Sequence, residues 1–91
     1  MNLSGHHKKT LAKIFVHPVS HNVEWREALS LLEHVAAIER ERDGRVRAFI
    51  GDHEVTLHPA HHHHAHVLSE QEVLDLRRGL SAAGITPERD E

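Results

Sequence analysis

Ninety-one residues, 38% of them hydrophobic, allow one domain with a modest core, and no apolar run approaches the roughly 20 residues of a membrane span. The absence of cysteine excludes a disulfide framework and thiolate chemistry; with no apolar signal core at the N-terminus, a cytoplasmic location is expected. The formal charge is −3 with histidine neutral, but twelve histidines swing it positive towards pH 5, so the total neither excludes nor favours nucleic acid.

Met1 to Gly5 reads as an unstructured lead-in. His6-His7-Lys8-Lys9 is a basic patch, and Leu11, Ile14 and Phe15 then follow at i, i+3 and i+4. That spacing predicts a short amphipathic helix with Lys8, Lys9 and Lys13 towards water. Pro18 ends it, because the residue before a proline is pushed out of the α region. Asn22 is the expected N-cap of a second helix, with Glu24 in its first turn. Trp25, Ala28, Leu29, Leu31 and Leu32 form its apolar stripe, and Trp25 at that spacing is read as core. His17, His21 and His34 flank helix ends and read as structural or solvated.

From Val35 the period changes to two. Ala36, Ile38, Arg40 and Arg42 alternate with Ala37, Glu39 and Glu41, and Asp43-Gly44 reads as a two-residue hairpin turn. Val46, Ala48 and Ile50 share one face of a second strand, with Arg45 and Arg47 on the other. Gly51-Asp52 is a second tight turn, and His53 to His58 is a third strand. Ser69 to Glu72 reads as a capping box. Val73, Leu76, Leu80 and Ala83 mark a buried stripe, Arg77 and Arg78 point outwards, and Gly84 sits where a left-handed cap is wanted.

The expected architecture is therefore α+β: a short helix, a helix, three antiparallel strands and a helix. It forms a single domain over residues 1–91, with a core over about 7–87 and a histidine-rich loop over 58–66. That loop holds six of the twelve histidines. One reading makes His61, His62, His63, His64 and His66 a divalent-metal site for Zn²⁺ or Ni²⁺, since imidazoles at such spacings can converge on one ion. The plainer reading is a polar loop that takes up such ions incidentally. Arg45 and Arg47 likewise read either as phosphate contacts or as a solvated sheet face paired with Glu39, Glu41 and Glu54.

The stretches Trp25 to Leu32, Asp43-Gly44-Arg45-Val46-Arg47 and Leu76 to Ile85, with His7 to Phe15 ahead of them, resemble the HicA family of bacterial toxins. The resemblance covers roughly residues 7 to 87. It implies the α-β-β-β-α fold of the double-stranded-RNA-binding type, here with an extra short N-terminal helix. It also implies an mRNA-cleaving toxin with a HicB-like antitoxin as partner, no membrane and no required cofactor. The family's Gly-Ser-His motif reads Gly44-Arg45-Val46 here, so its histidine is missing. Metal-independent cleavage of RNA needs a base for the 2′-hydroxyl and an acid for the leaving oxygen. His58 and His61 are the candidates for those roles, with Lys8, Lys9, Arg45 and Arg47 on phosphate. The alternative is a non-catalytic module of the same fold that binds a transition metal or a protein through the histidine-rich loop; a second copy is a further candidate partner.

Overall fold

The computed structural model describes residues 3–58 and 67–87. Its order is α1 (Gly5–Phe15), α2 (Trp25–Val35), β1 (Ala37–Arg40), β2 (Val46–Ile50), β3 (His53–Leu57) and α3 (Glu70–Ala82). The three strands form one antiparallel sheet in the order β1-β2-β3. This is the α+β arrangement expected, α-β-β-β-α with one more helix in front.

That extra helix is longer than its apolar spacing suggests. Ser4 caps it, its Oγ accepting from the His7 N–H at 3.2 Å, so the basic patch forms the first turns of α1. Leu3, just ahead of the cap, is buried. Leu11 and Ile14 reach the core, and α1 packs on both α2 and α3. Lys13 does not face water alone: its Nζ donates to both Glu27 carboxylate oxygens, at 2.9 and 3.1 Å.

The second helix starts two residues later than Asn22 predicts. Val23 is fully buried and its carbonyl accepts from the Leu68 N–H at 2.8 Å, while Glu24 bridges Val67. Residues 23 and 24 are thus held extended against the chain entering α3, and Glu24 becomes the N-cap. Glu27 Oε1 accepts from the Glu24 N–H at 3.1 Å, satisfying a donor that the helix leaves open. Trp25 is only partly buried and packs on the rim of the core.

Both hairpins form, but the first is larger than Asp43-Gly44 suggests. Arg40 pairs with Val46, Glu41 N–H donates to the Arg45 carbonyl, and Gly44 N–H donates to the Glu41 carbonyl. The loop is therefore the three residues Arg42-Asp43-Gly44, with Gly44 at φ +94 in the left-handed region that glycine takes without a Cβ penalty. The second hairpin is the expected two-residue turn, Gly51-Asp52, closed by the Ile50–His53 pair. Strand alternation buries Val46, Ala48, Ile50, Val55 and Leu57, and the last four join one cluster with Ala28, Leu31 and Leu32 of α2 and Val73, Leu76 and Leu80 of α3.

The capping box of α3 is present: Ser69 Oγ accepts from the Glu72 N–H at 3.2 Å, and Glu72 Oε1 from the Ser69 N–H at 2.9 Å. At its other end the Gly84 N–H reaches the Ser81 carbonyl and the Ile85 N–H the Leu80 carbonyl, a Schellman closure with Gly84 at φ +78. Two expectations for this helix change. Ala83 is exposed, because the helix has ended there, and the buried stripe passes instead through Gly79. Arg77 turns inwards, donating to the carbonyls of Ile14 at 3.0 Å and Val16 at 2.9 Å, and so closes the C-terminus of α1.

Candidate functional site

The candidate residues fall in two groups on different elements. Lys8 and Lys9 are exposed on α1 and carry no ion pair among the described residues. Arg45, Arg47 and His58 lie around one end of the β2–β3 ladder. His61, His62, His63, His64 and His66 lie outside the described residues, so the histidine-tract metal site and the acid/base role of His61 are not placed.

The β2–β3 ladder ends at the Val46–Leu57 pair, so Arg45 and His58 each stand one residue beyond its last pair. The backbone of His58 is fixed from the helical side: its N–H donates to Glu72 Oε2 at 2.9 Å. Glu72 is buried, and its other oxygen holds the Ser69 N–H. One carboxylate therefore ties the end of β3 to the start of α3, clamping both sides of the intervening segment. With the Glu24–Val67 bridge and the Leu68–Val23 bond, the root of that segment is fixed on three elements.

The two arginines differ. Arg47 lies on the outer sheet face between two acids, with Nε 3.0 Å from Glu54 Oε2 and Nη1 3.4 Å from Glu39 Oε1, and its guanidinium stands 5.3 Å over the Phe49 ring. The Glu54 carboxylate, by its hydrogen bond and then its charge, holds Arg47 still more firmly in the cationic form. This is the paired sheet face that the alternation allows. Arg45 sits at the hairpin and contacts Asp43 Oδ2 at 2.8 Å, with Glu41 Oε1 at 4.0 Å. The hydrogen bonds from the Arg45 backbone and side chain draw the Asp43 carboxyl below its ordinary range. Arg45 is about half exposed, and a solvated ion pair of that kind is weak enough for a phosphate to compete with it.

A third constellation escapes the sequence reading. His7 on α1 and Ser30 and His34 on α2 meet across the α1–α2 seam: His7 Nε2 is 2.9 Å from Ser30 Oγ, and the His7 and His34 rings are 5.2 Å apart. Ser30 and His34 are four apart and so share a helix face, which is legible in the sequence. That His7 would face them depends on how α1 docks, which is not.

No family model, curated protein or solved structure matches the chain. The functional reading therefore rests on the residues and their placement.

Among the described residues no helix is long and apolar enough to cross a membrane, and no three metal-ligating side chains are assembled around one point.

Proposed function

We propose that this chain is an RNA-directed domain of the HicA toxin kind, cleaving RNA by acid–base chemistry without a metal. The observation that carries the reading is that His58 and Arg45 each follow directly on the last pair of the β2–β3 ladder, with the His58 backbone anchored by Glu72. An imidazole and a guanidinium at one end of a sheet are the groups that phosphodiester transfer uses: the guanidinium offers a fork of donors to the phosphate oxygens, and the imidazole moves a proton. The double-stranded-RNA-binding order of elements agrees with this reading.

In the proposed reaction one imidazole accepts the 2′-hydroxyl proton as that oxygen attacks the phosphorus, and a second gives a proton to the departing 5′-oxygen. The bond to the 5′-oxygen breaks and a 2′,3′-cyclic phosphate results. His58 takes one role and His61 the other. Arg45 holds the phosphate, Lys8 and Lys9 hold flanking backbone, and Arg47, engaged by two carboxylates, contributes less. The partner in this reading is a HicB-like antitoxin.

The test is cleavage of a labelled RNA by the purified chain in the presence of a chelator. Cleavage should persist in chelator, fall about 10²–10⁴-fold in each of His58→Ala and His61→Ala, and be rescued by neither Zn²⁺ nor Mg²⁺. Absence of cleavage by the unsubstituted chain, or full activity in both variants, would overturn the proposed mechanism.

A further inference from the structure

The α1–α2 seam contains an imidazole whose hydrogen bonding is incomplete. His7 is half-buried, and its Nδ1 is enclosed with no hydrogen-bond partner among the described residues. A neutral ring carries one proton. Placed on Nδ1, it would be a buried N–H with no acceptor, at a cost of about 1–3 kcal/mol. Placed on Nε2, it is donated to Ser30 Oγ at 2.9 Å, and Nδ1 keeps only a lone pair, a lesser deficit. The second tautomer is therefore favoured, and it is the one that presents a ligating nitrogen.

That arrangement is also how proteins prepare a metal-binding imidazole, one nitrogen giving its proton to an oxygen partner so that the other faces the ion. His34 supplies the second ring, 5.2 Å away and tilted by 38°. Two imidazoles on one tetrahedral ion, with Zn–N lengths of about 2.0–2.1 Å, have ring centres roughly 5 Å apart. His34 stands in the last turn of α2, where the helix dipole favours a cation. The neighbouring carboxylates are engaged elsewhere, Glu27 with Lys13 and Glu33 with Arg40. No third ligand is preassembled among the described residues, so an ion held here would take its remaining ligands from water or from His6, whose ring is 6.3 Å from that of His7.

We infer that the α1–α2 seam is a transition-metal site in which His7, through Nδ1, and His34 ligate Zn²⁺, with Ser30 as the positioning residue for His7. The site uses no residue of the histidine tract and is independent of the RNA reading. An ion there would tie α1 to α2.

The test uses the full chain with His61, His62, His63, His64 and His66 all replaced by Asn, titrated with Zn²⁺ by calorimetry and by ¹⁵N resonances of the imidazoles. One Zn²⁺ should bind per chain, and the His7 Nδ1 and His34 ring resonances should move. Ser30→Ala should weaken binding about 10- to 100-fold. His34→Gln, an exposed position whose substitution leaves the fold intact, should abolish it. No stoichiometric uptake, uptake indifferent to His34→Gln, or a His7 Nδ1 resonance that stays in place would each overturn the inference.

Discussion

Glu72 joins two structural jobs in one residue. As the third residue of α3 it completes the capping box with Ser69; as a buried acceptor it also takes the His58 N–H. A carboxylate can do this because each oxygen accepts independently, whereas an amide has one accepting oxygen. Hydrogen bonds to a charged group are worth about 1.5–3 kcal/mol each, so Glu72→Ala should lower the unfolding free energy by about 3 kcal/mol or more, with Glu72→Gln between that and the unsubstituted chain. Urea denaturation measures both. Equal, negligible losses would mean that the clamp contributes nothing.

Glu27 gives the pH dependence a direction. Burial pushes its carboxyl up, but the Lys13 ammonium and the Glu24 N–H together outweigh that and leave it below the ordinary value of 4.5. A carboxyl with a depressed folded value contributes stability that is fully present above its unfolded value and is lost as pH falls through the folded one. The chain should therefore lose stability as pH drops below about 4.5, and Glu27→Gln should flatten that acid limb while leaving the neutral region lower by a constant amount. Thermal melts at a series of pH values read this out; an unchanged acid limb in the variant would remove Glu27 as its source.

At the scale of elements, close packing of α3 on the hairpin β2–β3 is set by Gly79. A Cβ there would meet Ile50 Cδ1 at 3.2 Å and Val55 Cγ2 at 3.5 Å, both in the core. Alanine gains about 1 kcal/mol of helix propensity over glycine, which offsets a slight shift of Ile50. Valine has no such room, so Gly79→Val should cost about 1–3 kcal/mol, measured by chemical denaturation, while Gly79→Ala stays near neutral. A stabilised valine variant would mean that the helix stands off the sheet.

The elements are legible in the sequence where the signal is local. Ser69 and Glu72 announce α3, Gly51-Asp52 the second turn, and Val46, Ala48 and Ile50 the buried face of β2. Long-range contacts decide the rest. Asn22 fails as a cap because Val23 and Glu24 are drawn into pairing with residues 67 and 68, and Arg77 turns inwards because the open carbonyls at the end of α1 lie beside it. Trp25 reads as core by its spacing, yet it stands at the first position of α2, where the burying surface is only beginning. The candidate site follows the same rule. The β2–β3 register that brings the chain ends at Arg45 and His58 to one end of the ladder can be read from a hairpin; the seam between His7 and Ser30 depends on docking two helices that are not paired by any turn.

On the scale of the whole molecule, charge is segregated. All three lysines are on α1, two of them without an ion pair among the described residues, while the outer sheet face pairs Arg47 with Glu39 and Glu54. Such a molecule, formally −3, binds a polyanion through local patches or not at all. Binding to a single-stranded RNA, followed by fluorescence anisotropy over a range of salt concentrations, tests RNA recognition most directly, since it does not depend on which imidazole is catalytic. Affinity should fall with salt, and the slope of log K against log salt should become shallower by about 0.7 for each phosphate no longer neutralised in Lys8→Ala, Lys9→Ala or Arg45→Ala. An absence of binding at low salt, or binding whose salt slope is unchanged in all three variants, would contradict an RNA-directed role.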